Sequence, residues 1–212
     1  MRNIAVILSI LLLPLIATAQ YKYGDSNHIG VAAGINQTSL LTSNFDSEPL
    51  TGWNFGLSMR GNFYNDFDMV YAIQFNEHNF SIRTLNELAA VEDVKYKVSG
   101  AQISLMLSYK IVPNHLSVEL GPILQVNGKL GLKEEQKDNT IGNSTIKAGD
   151  IVDVNTFNLN GGVAVTAGVR NVRLILQYNY GINNFFGQVN DNLDTNLKVH
   201  LGIVSASIVG YL

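Results

Sequence analysis

The most regular pattern in the sequence is the alternation of apolar and polar residues across 99–130, SGAQISLMLSYKIVPNHLSVELGPILQVNGKL. A period of two is typical of a β-strand with one apolar face. Val112-Pro113-Asn114 interrupts the pattern in the middle and therefore predicts two strands joined by a tight turn. Each arm alternates over ten or more residues. That exceeds an ordinary strand of about 5–6 residues and matches the roughly 9–11 residues of a tilted membrane-spanning strand.

Six further stretches alternate in the same way: 28–37, 53–61, 67–80, 157–169, 172–185 and 197–211. The connections between the eight predicted strands are alternately long and short. Outer-membrane barrels have an even number of strands, short periplasmic turns and longer external loops. The pattern therefore predicts an all-β fold, an eight-stranded antiparallel up-and-down transmembrane β-barrel with both termini in the periplasm.

One face of the predicted strands is apolar and is expected to contact outer-membrane lipid. Its members include Ile35, Leu57, Ile73, Leu105, Leu120, Val165 and Leu176. The opposite face is rich in Gly, Ala, Ser, Asn and Gln, which suit a narrow, hydrogen-bonded lumen. A soluble lipocalin-like barrel, with its apolar face inside and a ligand in the lumen, is the alternative. Charged residues make up only 15% of the chain, against roughly 25% in soluble domains, and this deficit favours the membrane barrel.

Aromatic residues cluster at the predicted strand ends, as expected of the two aromatic girdles of a membrane barrel. The residues predicted to lie near the outer interface are Trp53, Phe80, Phe157, Phe185 and Phe186. Those predicted near the inner interface are Phe63, Tyr64, Phe67, Tyr109 and Tyr211.

The N-terminus has the pattern of a secretory signal peptide. Met1-Arg2-Asn3 is followed by an apolar run at 4–16 and by the small residues Ala17-Thr18-Ala19, which form an A-x-A cleavage site. We therefore predict a signal peptide at 1–19, one barrel domain at 20–212, and a location in the outer membrane of a Gram-negative bacterium. The chain contains no cysteine, which excludes disulfides and cysteine-based metal sites.

The sequence offers little sign of catalytic chemistry. No two of its four histidines have the spacing of metal ligands, so no metal and no cofactor are predicted. His78 and His200 are expected at the outer rim near loop serines, which leaves a rim enzyme, a lipid hydrolase or acyltransferase, as an alternative. No nucleophile-elbow motif accompanies them, and we therefore predict no enzyme and no catalytic residue. The net charge of −3 predicts no nucleic-acid partner.

Three charged residues fall on the predicted inward face in the periplasmic third of the barrel: Arg60, Glu119 and Arg173. The strands that carry Arg60 and Glu119 are far apart around the ring, so these two side chains can meet only across the lumen. An isolated buried charge is very unfavourable, and Glu119 is therefore predicted to pair with Arg60, Arg173 or both and to close the lumen. Separate, hydrated charges are the alternative. The residues expected to hydrogen-bond above this set are Gln74, Gln125 and Gln177.

An eight-stranded barrel has an interior just wide enough for its own side chains, which argues against a diffusion pore. The sequence therefore favours a monomeric structural or interaction barrel. Its external segments would bind an unidentified protein or an extracellular ligand. The segments predicted to be external are 38–52, 81–96, 131–156 and 186–196.

Several short motifs resemble a known family. They are GVAAGIN at 30–36, Ile111-Val112-Pro113, Glu119-Leu120-Gly121-Pro122 and Tyr178-Asn179-Tyr180-Gly181-Ile182-Asn183. Together they resemble the outer-membrane β-barrel domain family of Bacteroidota, the PorT-like group, over nearly the whole mature chain. The resemblance implies an outer-membrane barrel that acts in or near protein secretion machinery.

Overall fold

A computed structural model describes residues 28–142 and 144–212. The predicted signal peptide at 1–19 lies outside the described residues. The long strands are β1 His28–Leu41, β2 Ser47–Tyr64, β3 Phe67–Leu85, β4 Val91–Val112, β5 Leu116–Asn127, β7 Phe157–Gly168, β8 Val172–Gly181 and β9 His200–Tyr211. The shorter elements are strand β6 Thr140–Ile141, a single 3-10 turn at Glu134–Gln136 and helix α1 Gly187–Leu193.

The eight long strands form a closed antiparallel ring. Each pairs with its neighbours in chain order, β5 pairs directly with β7, and β1 closes the ring by pairing with β9 as well as with β2. The short strand β6 is not one of the ring strands and pairs with the end of β3. The predicted fold class, an eight-stranded antiparallel up-and-down barrel, is confirmed. Among the described residues, no helix is long and apolar enough to cross a membrane.

The two ends of the ring differ in their connections. The short-turn end carries the turns 65–66, 113–115 and 169–171, and the long-loop end carries 42–46, 86–90, 128–156 and 182–199. Asn65 and Asn114 have positive φ angles of 47° and 64°. Asn adopts this left-handed conformation more easily than most residues, and two of the hairpins can therefore turn sharply.

The outer surface of the ring is apolar, as predicted. All seven residues that were expected to contact lipid are exposed, for example Leu120 at 64% and Ile35 at 60%. Their sequence neighbours on the other face, such as Asn36 and Glu119, are buried in the lumen. The lipocalin-like alternative is therefore wrong, because the apolar face lies outside the barrel and the polar face inside.

The first two predicted long loops are mostly strand. β1–β2 and β3–β4 continue past the apolar band, so the loops shrink to 42–46 and 86–90. Above the band the alternation continues, but the inward face is now apolar and the outward face is polar. On β4, Val94 and Tyr96 point inward and are buried, whereas Lys95 and Lys97 point outward and are exposed. The outward face there meets water instead of lipid, and it is therefore polar.

The predicted aromatic girdles are partly wrong for the same reason. Trp53, Phe157, Phe63, Tyr64 and Tyr109 are exposed on the outside, and Phe67 is half-buried beside Tyr109. The aromatic residues that instead point into the barrel interior are Phe80, Phe185, Phe186 and Tyr211. Three of these four fill the interior above the membrane band, and Tyr211 fills the lumen at the short-turn end.

Candidate functional site: the lumen and the loop cap

Side chains fill most of the lumen in layers and leave small cavities at its charged and amide levels. The inward residues of β5 show the order from the short-turn end: Glu119, then Ile123, then Gln125 and Asn127. A charged layer is thus followed by an apolar layer and then by a layer of side-chain amides. A second hydrophobic cluster covers the mouth at the long-loop end. The filling matches the narrow interior expected of eight strands.

Glu119 is held across the lumen by groups from four strands. Its Oε1 forms an ion pair with Arg60 Nη2 of β2. The same oxygen accepts a hydrogen bond from Thr166 Oγ1 of β7 at 2.9 Å and longer ones from Ser108 Oγ and Ser117 Oγ at 3.4 Å. Glu119 is only 2% exposed and Arg60 only 3%. A buried ion pair needs such additional hydrogen bonds to offset its desolvation.

Arg60 also contacts a second carboxylate. Its Nη1 donates to Ser108 Oγ at 2.8 Å and lies 3.3 Å from Asp68 Oδ2. Asp68 Oδ1 in turn lies 3.2 Å from Lys110 Nζ. An ionic chain therefore runs from β5 through β2 and β3 to β4. We call the five acidic and basic residues at this level the lumen charge cluster: Arg60, Asp68, Lys110, Glu119 and Arg173.

Asp68 and Lys110 were missed in the sequence analysis. Both lie on the inward positions of their strands, since Asp68 is two residues before Val70 and Lys110 is two residues after Ser108. The alternation that assigned Glu119 to the lumen contains the same signal for them. They were not assigned to the lumen because each lies near a predicted turn, where charged residues are commonly exposed to water.

Arg173 differs from the other two cations of the cluster. It is 5% exposed, and its Nε is buried without a hydrogen-bond acceptor from the residues that the structure describes. Within 28–142 and 144–212 it forms no ion pair at 4.0 Å or less. The structure thus brings Glu119 to Arg60 and leaves Arg173 beside the pair.

The glutamines expected above the charges hydrogen-bond to other amides instead. Gln102 Nε2 donates to Gln74 Oε1 at 2.7 Å, and Gln177 Nε2 donates to Asn179 Oδ1 at 2.7 Å. Gln125 accepts from an asparagine at 3.0 Å. These amides are separated from the charges by a small apolar cluster: Val70, Met106, Ile123 and Ala164, with Ile175 packed against it.

The two histidines considered for a rim enzyme have structural contacts. His78 is buried in the lumen, with its Nδ1 2.8 Å from Thr38 Oγ1 and 3.1 Å from Asn36 Oδ1. His200 stacks on Tyr180 with ring centroids 5.8 Å apart. Neither imidazole hydrogen-bonds a serine hydroxyl of the described chain. Nor does any group of three potential metal ligands occur in that part of the chain.

The mouth at the long-loop end is closed by a folded structure that we call the loop cap, formed by the connections 128–156 and 182–199 over the ends of β3 and β4. Phe80 stacks on Tyr96 at 5.7 Å and meets Phe185 edge-on at 6.4 Å. Tyr96 Oη donates to the carbonyl oxygen of Ala148 at 3.1 Å. The buried residues from the two connections are Leu130, Ile141, Ala148, Ile151, Val154, Phe185, Phe186, Val189 and Val199.

A polar contact fastens the longest connection to the β3–β4 hairpin above the membrane band. Glu92 accepts hydrogen bonds from Gln136 Nε2 at 2.5 Å and Asn139 Nδ2 at 3.1 Å. Asn139 Nδ2 also reaches Thr84 Oγ1 at 3.3 Å. These hydrogen bonds lower the pKa of Glu92, because they stabilise its ionised form. The loop cap is thus held by polar as well as apolar contacts.

A closed ring with an apolar outer band and a filled polar lumen defines an integral β-barrel of the outer membrane. The family comparison agrees. The chain belongs to the outer membrane protein beta-barrel domain family, whose model matches residues 18–187. The protein is accordingly located in the outer membrane. Among curated proteins, none matches the sequence significantly.

Two solved outer-membrane proteins are similar to this chain at low sequence identity. Neisserial surface protein A is 14% identical, with a TM-score of 0.51 over 86% of this chain and 96% of that one. Ail, the attachment invasion locus protein of Yersinia pestis, is 13% identical, with a TM-score of 0.48 over 88% and 99%. At this identity the likeness to the Neisserial protein concerns the fold alone.

Proposed function

We propose that this protein is a monomeric interaction barrel, which anchors in the outer membrane and presents its long-loop end to a partner outside the cell. The observation that carries the proposal is the filled lumen, with charges at one end, amides in the middle and a hydrophobic cap at the other. A barrel filled in this way has no path for solutes, which argues against a channel. Its ring also closes within one chain, which supports a monomer.

The proposed orientation places the long-loop end outside and both termini in the periplasm. It is supported by the difference between the two ends, because outer-membrane barrels have short periplasmic turns and longer external loops. The loop cap then lies on the cell surface. Its buried aromatic core gives the exposed surface a fixed shape, which is a requirement for a specific contact.

The β3–β4 hairpin supplies the most conspicuous contact surface of the long-loop end. Its tip bears the exposed apolar residues Leu88, Ala89, Ala90 and Val91, and Leu88 is 88% exposed. The tip lies beyond the apolar band of the barrel, so lipid does not explain its character. Exposed apolar groups surrounded by polar residues are typical of protein contact sites.

The finer family assignment is part of the proposal. The motifs at 30–36, 119–122 and 178–183 resemble the PorT-like barrels of Bacteroidota, and this resemblance supports a partner in protein secretion machinery. The contacts of His78 and His200 favour a binding role over a rim enzyme, because both rings have structural neighbours and neither hydrogen-bonds a serine hydroxyl within the described part of the chain.

Site-specific photocrosslinking in native cells tests the proposal. A photoreactive amino acid at Leu88 is expected to give one discrete adduct, whereas the same group at Asn114 on the short-turn end is expected to give none of that size. Replacing Ala90 and Val91 by Ser should abolish the adduct at Leu88 while the barrel keeps its heat-modifiable gel mobility. Equal crosslinking from both ends, or no adduct from Leu88 in any growth condition, would contradict the proposal.

A further inference from the structure

The lumen charge cluster contains one more positive charge than negative charges. Asp68 and Glu119 face three cations, Arg60, Lys110 and Arg173. Arg60 contacts both carboxylates, and Lys110 shares Asp68. Among the described residues, the charge that remains uncompensated belongs to Arg173, whose Nε is buried with no acceptor from that part of the chain. A buried charge without a partner is strongly unfavourable.

Arg173 lines a small cavity that opens at the short-turn end. The cavity measures about 20 Å³ and is bordered by Arg60, Lys110 and Asp68, with the amide side chains of Asn62 and Asn114 at its rim. It holds one water-sized group, because a single water needs roughly 10–15 Å³ by this measure. The carboxylate that the described residues place on its wall, Asp68, already forms ion pairs with Arg60 and Lys110. An incoming anion would therefore meet a positive wall.

We propose that this cavity binds an oxyanion of the phosphate class, with one oxygen inserted beside Arg173 and the remainder at the rim amides. The guanidinium presents a planar fork of N–H donors that matches phosphate and carboxylate oxygens. The bound anion supplies the negative charge that the cluster lacks. Its source is either free phosphate or the phosphate of a lipid headgroup at the mouth of the barrel, since both present the same oxygens.

Titration calorimetry of the mature full-length protein with inorganic phosphate tests the site. The protein is folded in a maltoside detergent free of phosphate and phospholipid, at constant ionic strength. We expect a saturable heat for the wild type. Arg173→Gln should weaken binding by about tenfold or more, the equivalent of one charge-assisted hydrogen bond. Arg170→Gln is the matched control, because Arg170 lies on the adjacent turn and is exposed; it should change the affinity less than about twofold.

A second arm distinguishes the two sources. In nanodiscs of phosphatidylglycerol, loss of the phosphate heat identifies the headgroup as the natural occupant, and its persistence identifies free phosphate. Phosphorus NMR line broadening on the wild type provides a readout that does not depend on the folding of a variant. A wild type that gives no saturable heat and no broadening overturns the site. So does an equal loss of affinity in Arg173→Gln and Arg170→Gln.

Discussion

Arg60 and Glu119 form an ion pair across the lumen from strands β2 and β5, which are three places apart in a ring of eight. The pair joins two walls that share no backbone hydrogen bond. Because hydroxyl groups of β4 and β7 also reach the carboxylate, one side chain couples several strands. The stability of the barrel is therefore expected to depend on this carboxylate.

Glu119→Gln should destabilise the barrel, because it leaves a buried arginine with one carboxylate fewer. We expect the free energy of unfolding to fall by about 3–5 kcal/mol, the usual effect of breaking a buried pair. Urea unfolding followed by the single tryptophan, Trp53, measures it. Adding Arg60→Gln to this variant should recover part of the loss.

The control is Glu135→Gln, since Glu135 is exposed on the 3-10 turn. It should leave the free energy of unfolding unchanged within about 0.5 kcal/mol. If Glu119→Gln were equally harmless, the coupling of strands through this carboxylate would be refuted.

Leu105→Arg should destabilise the folded barrel by about 2–4 kcal/mol, because it places a charge on the lipid face near the middle of the band. Ser99→Arg on the same face of β4 is the matched control, since Ser99 is exposed where the outward face becomes polar. Reversible unfolding in lipid vesicles gives both values. If both variants lost the same free energy of unfolding, the apolar membrane band could not end between Leu105 and Ser99.

The orientation can be tested by labelling, and the absence of native cysteine makes single-cysteine variants clean reporters. Leu88→Cys should react with a membrane-impermeant maleimide on intact cells, because the hairpin tip is expected to lie outside. Asn114→Cys on the short-turn end should react only after the outer membrane is permeabilised. The opposite labelling pattern would invert the orientation.

The loop cap should loosen in acid. The pKa of Glu92 is lowered from its ordinary value of 4.5 by hydrogen bonds from Gln136 and Asn139. Its stabilising effect is therefore complete above that value and is lost as the pH falls through the lowered one. A spin label at position 135 should be immobile at neutral pH and more mobile in strong acid.

Glu92→Gln should give the acidic mobility at every pH, because the carboxylate that accepts both hydrogen bonds is gone. A variant that retained the pH profile of the wild type would mean that another group holds the connection.

Much of the ring could be predicted from the sequence, because the membrane imposes one rule on every strand. Leu57 and Leu105 must meet lipid and Ser58 and Ser104 must not, so a period of two defines strands, faces and closure together. The same alternation predicted that Arg60 and Glu119 both point into the lumen. It also applies to Asp68 and Lys110, which were overlooked beside their turns.

The loop cap could not be predicted in the same way. Above the membrane Phe80 and Tyr96 continue the alternation, but water now lies outside and the hydrophobic interior inside. The apolar residues of these strands therefore lie on the inward face above the membrane, so a pattern that looks for outward apolar residues places the end of the strand too early. The packing of Phe185 and helix α1 over the mouth is a long-range contact with no local signal. The sequence pattern also could not predict that Arg173 has no ion-pair partner within 28–142 and 144–212, because alternation assigns a side chain to a face but does not say how far it reaches.

The central claim is that the lumen is closed, and single-channel recording of the wild-type barrel in planar bilayers tests it most directly. The protein is delivered to the bilayer from lipid vesicles, and recovery of folded, heat-modifiable protein from these vesicles verifies that it is inserted. The filled layers at Glu119, Ile123 and Gln125 and the loop cap predict no ion conductance across the full voltage range. Stable, reproducible conductance steps from the wild type would contradict the account and would indicate a channel.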